Sequence, residues 1–235
     1  MNRLKLLQDL VDQNKYENFL EIGSHKGKTL LPLRCKFKTA VDPAFRISPS
    51  FFLKHLYQNP DNLRNRYFMM TSDQFFDQKK SYLKKKGNMH LIFIDGLHTF
   101  EASLNDVLNS LYWLDPKGAI VLHDCFPPSE AAATPATSLK EAAGMNIPDW
   151  SGTWCGDVWK TIAYLKKRYG EALNINVVNA DMGLGIVRLN NNQNKIDKDL
   201  DRGLFSKINA MSYVDLQKNP QSLINLCEFH EVPGV

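Results

Sequence analysis

Short apolar runs recur along the chain between longer stretches whose apolar positions fall three and four residues apart. The runs at 18–22, 39–41, 66–70, 90–94 and 119–122 are bounded by turn residues and read as strands. Between them, Leu4, Leu7, Leu10 and Val11 share one helical face, and Leu104, Val107, Leu108 and Leu111 mark the buried face of another helix. Helices are also expected over 27–34, over 48–57 with Ser48 as cap and Pro49 in the first turn, and over 159–169. Ser72 or Asp73 can cap a single helix running to about Lys86. Pro116-Lys117-Gly118 reads as a turn leading into the strand at 119. Residues 174–179 and 186–189 flank Asp181-Met182-Gly183, which suits an antiparallel hairpin.

Strands alternating with amphipathic helices predict a parallel sheet covered on both faces, an α/β doubly wound fold. The Ala-, Pro-, Ser- and Thr-rich stretch 127–154 reads as a cover with partial helix. Residues 190–194 form a polar linker, followed by a helical tail that includes 213–216 and 223–226. The expected organisation is therefore one domain over 1–189, with its cover near 127–157, and a linker and tail over 190–235.

Composition narrows the class. With 235 residues, 43% hydrophobic and 23% charged, the chain has globular composition and enough length for a core without staples. A formal charge of +4 is too mild to indicate nucleic acid. The lysine run at 79, 80, 84, 85 and 86 falls near a helix end, where solvated cations favour the dipole. Cys35, Cys125, Cys155 and Cys227 are widely spaced, which suggests neither a disulfide framework nor a zinc site and suits a reducing cytoplasm. The N-terminus carries Arg3, Lys5, Asp9 and Asp12, unlike a secretory leader, and no run reaches the ~18 apolar residues of a membrane span. A soluble cytoplasmic protein is expected, with homo-oligomerisation left open.

The densest local signal is Phe19-Leu20-Glu21-Ile22-Gly23-Ser24-His25-Lys26-Gly27-Lys28-Thr29. An apolar strand ends near an acid, and two glycines four apart let the backbone turn and approach a ligand. It lacks the third glycine of a dinucleotide fingerprint, which disfavours NAD. Asp42 closes the second strand twenty-one positions after Glu21, where a carboxylate can accept hydrogen bonds from both hydroxyls of a ribose. An Asp-Pro turn capping its own backbone is the alternative.

An acid at the strand end followed by Gly-x-x-x-Gly resembles motif I of class I S-adenosylmethionine-dependent methyltransferases. The segments Ile94-Asp95-Gly96-Leu97-His98 and Leu122-His123-Asp124-Cys125 are similar to a subfamily of small-molecule O-methyltransferases of the catechol and macrolide-sugar types. Gly156-Asp157-Val158-Trp159-Lys160 also looks like a family segment. The resemblance implies a mostly parallel seven-stranded sheet with an antiparallel C-terminal hairpin. It implies S-adenosylmethionine along the strand ends, held by Glu21, Gly23, Ser24, Gly27, Thr29, Asp42, Ser72, Asp73 and Asp95, with the adenine end at 71–73.

The implied activity is methyl transfer to an oxygen of a small-molecule acceptor such as a sugar or natural product. A binding module without turnover and N-methyl or aminopropyl transfer remain as alternatives. Catechol-type relatives bind magnesium through two aspartates and an asparagine; Asp95 and Asp124 match the aspartates, whereas Cys125 replaces the asparagine with a poor ligand for a hard ion. Either the pair holds Mg2+ or another divalent metal, or Asp95 orients the methionine amino group and Asp124 binds loop backbone. His98 occupies the position of those relatives' base and is expected to be substantially neutral, with His123 in reserve. Trp150, Trp154 and Trp159 are expected to pack the cover rather than wall a substrate pocket.

Overall fold

The computed structural model describes residues 1–190, 196 and 199–232, so most of the expected linker at 190–194 lies outside the described residues. In chain order the strands are β1 (Asn18–Ile22), β2 (Phe37–Val41), β3 (Arg66–Phe68), β4 (Met89–Ile94), β5 (Leu114–Leu122), β6 (Leu173–Val178), β7 (Leu184–Leu189) and β8 (Leu226–Cys227). The helices are α1 (Arg3–Asn14), α2 (Pro49–Gln58), α3 (Ser72–Gln78), α4 (Lys80–Lys86), α5 (Phe100–Leu111), α6 (Leu139–Gly144), α7 (Trp159–Tyr169), α8 (Arg202–Asn209), α9 (Tyr213–Lys218) and α10 (Pro220–Ile224).

One sheet of order β3-β2-β1-β4-β5-β7-β6-β8 carries the fold. Strand periodicity divides its side chains between two cores. Leu20, Ile22, Ile92, Ile94, Ile120 and Leu122 point toward α5 and α7, and Phe19, Leu91, Phe93, Ala119 and Val121 point toward α1. β7 runs antiparallel to both β5 and β6, which confirms the mostly parallel doubly wound sheet and its hairpin. The tail adds an eighth strand: Asn225 takes a left-handed conformation at the end of α10, and the chain then pairs β8 alongside β6.

Residues 27–34, expected as a helix, form successive turns. The reason lies in β2, where Lys38 is buried and its ammonium donates to Leu30 O at 2.5 Å, Leu33 O at 2.7 Å and Asn62 Oδ1 at 2.6 Å. Asn62 and Asn59 donate to Leu31 O and Leu33 O, so side chains satisfy the carbonyls at the end of the segment, and Pro32 within it has no N–H to continue a helical ladder. The single helix expected up to Lys86 bends at Lys79 into α3 and α4, which lets Phe75, Phe76 and Leu83 all reach the core. Its cap is Thr71, in a reciprocal capping box with Gln74. β5 begins five residues before the expected position, and Pro116-Lys117-Gly118 is an irregularity within it.

Candidate active site

Reversal of strand order between β1 and β4 opens a crevice beyond their carboxyl ends, the usual ligand position of such sheets. Gly23 makes the crossing tight: its φ is +88°, and a Cβ there would lie 1.9 Å from Asp95 O. A cavity of about 890 Å³ occupies the crevice.

Of the expected cofactor residues, Gly23, Asp42, Ser72, Asp73 and Asp95 line this cavity. Glu21, Ser24, Gly27 and Thr29 do not. Glu21 is buried beneath the floor and accepts from Ser24 Oγ at 2.7 Å; burial pushes its carboxyl up to about 8, against that hydrogen bond. Asp42 caps its own turn. Its two oxygens accept from His25 N at 2.7 Å and Ala44 N at 2.6 Å, fixing the turn, while the carboxylate still fronts the cavity with acceptor capacity to spare.

The opposite half gathers Asp95, His98, His123 and Asp124 as expected. His98 Nδ1 lies 2.9 Å from Trp154 O and 3.1 Å from Asp124 Oδ2, and Nε2 lies 3.5 Å from Asp95 Oδ1. His123 Nδ1 lies 3.0 Å from Asp124 Oδ1 and 3.4 Å from Asp95 Oδ1. Burial opposes a positive charge on His98, but Asp95 and Asp124 outweigh it and raise its pKa above the ordinary value. The charged form of His98 is therefore favoured more than in an ordinary imidazole. His123 is likewise raised, against burial, by Asp124, Asp181 and Asp95. The histidines in turn hold Asp95 well below the usual carboxylate range despite its burial.

Two members of this cluster carry no signal in the local motifs. Arg3, from the first turn of α1, places Nη1 2.7 Å from Asp95 Oδ2 and Nε 3.0 Å from Asp181 Oδ2. Asp181 sits in the β6–β7 turn at φ 47°, and its Nε2-facing contact with His123 is 3.6 Å. The hairpin was legible, but the approach of Arg3 to both Asp95 and Asp181, 92 and 178 positions away, is a tertiary fact. Cys125 is fully buried and does not line the cavity, which leaves it out of any ligand set.

The segment Gly156-Asp157 fixes His98 from behind. Gly156, at φ +59°, packs so closely that a Cβ would meet His98 O at 1.8 Å. Asp157 Oδ1 accepts from Phe100 N at 2.7 Å, capping α5 together with Thr99. Trp154 stacks on His98 at 5.1 Å and lines the cavity, contrary to the purely packing role expected, whereas Trp159 is core. Leu139 and Met182 complete this half.

Residues 20–125 match the family model of a methyltransferase domain. No protein of curated function matches the chain by sequence. Among solved structures, it is similar to the O-methyltransferase from Bacillus cereus in complex with S-adenosylhomocysteine, at 14% identity and TM-score 0.54 over 80% of each chain. It is also similar to the O-methyltransferase TomG from Streptomyces achromogenes, involved in tomaymycin synthesis and in complex with S-adenosylmethionine, at 11% identity and TM-score 0.53 over 80% of this chain and 79% of that one. The methyltransferase PaMTH1 from Podospora anserina, bound to S-adenosylhomocysteine, is similar at 14% identity and TM-score 0.51 over 80% and 78%. At these identities the likeness is one of fold.

Proposed function

We propose that this chain, which carries a methyltransferase domain of Rossmann-like fold, transfers a methyl group from S-adenosylmethionine to an oxygen of a small-molecule acceptor. The observation that carries the reading is a single cavity whose one half presents Asp42, Ser72 and Asp73 and whose other half presents a carboxylate-oriented histidine. The carboxylates of Asp42, Asp73 and Asp95 suit the ribose hydroxyls, ammonium and sulfonium of that cofactor, which supplies an electrophilic methyl carbon when bound.

His98 is assigned the base. Asp124 Oδ2 and Trp154 O both accept from Nδ1–H, which fixes the tautomer and leaves Nε2 to take the acceptor's proton as its oxygen attacks. A positive charge placed against Asp95 weakens that carboxylate's hold on the imidazolium and frees Nε2. Nε2 would take the acceptor's proton, while the bound cofactor would supply the methyl carbon and keep the carbon–sulfur electron pair. Trp154, Leu139 and Met182 exclude water around the acceptor. His123, among three carboxylates, is assigned charge balance rather than proton transfer.

A divalent cation also fits the cluster. Asp95, His98 and Asp124 offer donor atoms within 4.8 Å of one another, and His123 Nδ1 and Nε2 and Asp124 Oδ1 are buried without a hydrogen-bond partner. Asp95 and Asp124 would hold it, in competition with Arg3, and it would polarise the acceptor oxygen. The acceptor-independent test is calorimetry with S-adenosylhomocysteine, followed by product mass after incubation with S-adenosylmethionine and a panel of hydroxylated acceptors. Absence of binding would reject the reading. No described helix is long and apolar enough to cross a membrane, and free cysteines support a reducing, cytoplasmic setting.

A further inference from the structure

The tail builds a second cavity, of about 700 Å³, between α7 and the short helices α8, α9 and α10. Among the described residues it shares no lining with the crevice, and it lies outside the stretch 20–125 that matches the methyltransferase domain. Its floor is apolar: Ala163 and Ile208 are buried, and Leu204, Met211 and Leu223 are half-buried. Its rim is cationic. Lys166 and Lys167 come from the last turn of α7, Lys207 from that of α8 and Lys218 from that of α9. Cations at helix carboxyl ends complement the dipole, but each end carries only about half a negative charge, so four ammonium groups leave an excess. Among the described lining residues the one acid is Asp215, whose Oδ2 already accepts from Ser212 N at 2.8 Å and Ser212 Oγ at 2.9 Å. Lys166 donates to Ser222 O at the end of α10, and Lys218 faces Asp215. Lys167 and Lys207 carry no hydrogen bond, ion pair or ring contact among the described residues.

We propose that this cavity binds a single-chain amphipathic anion, its apolar body on Leu204, Ile208, Met211 and Leu223 and its phosphate or carboxylate held by Lys167 and Lys207. The site stands independently of the methyltransferase reading. Its volume is that of an ordinary small-molecule site, and its lining has the usual composition, apolar walls with a few charged groups. An apolar floor alone would take any greasy molecule, and exposed lysines alone any anion; together they select a molecule that is both. A cationic head would meet ammonium groups, and a neutral one would leave Lys167 and Lys207 without a counter-charge. The crevice gathers Asp42, Asp73, Asp95 and Asp124, so an anion is favoured at the lysines instead. Burial also lowers the pKa of Lys166, and an adjacent anion favours its charged form.

The test is calorimetric titration of the full chain with decyl phosphate and decanoate, each below its micelle concentration. Decanol, decyltrimethylammonium and inorganic phosphate are the controls. The tighter of the two anions identifies the head group, and it should bind at one site at least about tenfold more tightly than any control, because charge-assisted hydrogen bonds and apolar burial act together. Lys167→Gln/Lys207→Gln should lose about tenfold or more of that affinity, and Leu204→Asn a similar factor, with melting curves to confirm that each variant folds. Lys84→Gln/Lys85→Gln, which removes two exposed charges from α4, should bind as the wild type does. Equal affinity for decanol or for inorganic phosphate overturns the assignment. So does unchanged affinity in folded Lys167→Gln/Lys207→Gln protein, or an equal loss in Lys84→Gln/Lys85→Gln protein. Sedimentation with anionic phosphatidylglycerol vesicles, without binding of either single-chain anion, would mark a lipid surface and overturn it as well.

Discussion

Asp42 and His98 are the residues whose types and spacing carried the most chemistry, and the structure gives each a defined set of partners. Asp42→Ala should weaken S-adenosylhomocysteine binding by about 1.5–3 kcal/mol in calorimetry, because a charged acceptor is lost, and should cost some stability through the freed amides of His25 and Ala44. Unchanged affinity in folded protein would remove Asp42 from the cofactor site. His98→Ala should keep that affinity and lose at least about a hundredfold in single-turnover methyl transfer. The sign of the pH dependence follows from the environment: the base must shed its proton, and Asp95 and Asp124 raise the pKa at which it does. The second-order rate of methyl transfer at subsaturating cofactor, which reports the free protein, should therefore rise with pH through a midpoint above 6.5 in wild type, and a midpoint below that value would contradict the assignment. What the motifs could not reveal was Arg3. Its role depends on α1 bringing the N-terminus over the carboxyl end of β4, and sequence spacing says nothing about that approach.

Elements were most legible where periodicity alone decides them. Leu91 and Phe93 against Ile92 and Ile94 separate cleanly onto two faces, as a strand covered on both sides requires. Legibility failed at 27–34, because Leu30, Leu31 and Leu33 look like a helical face but serve to bury the loop, while Lys38, Asn59 and Asn62 take its carbonyls. The lysine of β2 is buried, and three short hydrogen bonds satisfy its ammonium. Lys38→Met, similar in length, should leave Leu30 O without a donor, Leu33 O and Asn62 Oδ1 keeping Asn59 and Asn65, and cost about 1–3 kcal/mol in urea unfolding. A neutral or stabilising result would mean that water or backbone rearrangement satisfies that carbonyl. The same reasoning applies to α5, where Asp157→Ala removes a buried cap on Phe100 N; the loss of about 1 kcal/mol should be accompanied by slower methyl transfer, since His98 immediately precedes that helix start.

At the scale of the whole molecule, the sheet joins two cores, and the site is built where the loops at the carboxyl ends of its strands meet the first turn of α1 and the β6–β7 turn. The tail braces this arrangement: Ile208, Leu216 and Ile224 enter the core that includes α7, and Lys160 of α7 donates to Asn209 O at 2.8 Å. Beneath the site lies a carboxyl that the fold keeps from water. Glu21 has its pKa raised by burial from 4.5 to about 8 in the folded chain, so between those values the folded protein holds a proton that the unfolded chain has released. Linkage then requires that its contribution to stability be fully present below about 4.5, decline as pH rises, and level off beyond about 8. Asp106, pushed up to about 7, acts in the same direction over a lower window. Glu21→Gln keeps an acceptor for Ser24 and cannot ionise, so its unfolding free energy should lose most of the decline seen in wild type between pH 5 and 8, and it should equal or exceed wild-type stability at pH 8. Parallel curves for the two proteins across that range would show that Glu21 is ionised in the folded state and that the floor of the site carries a negative charge beneath Asp95.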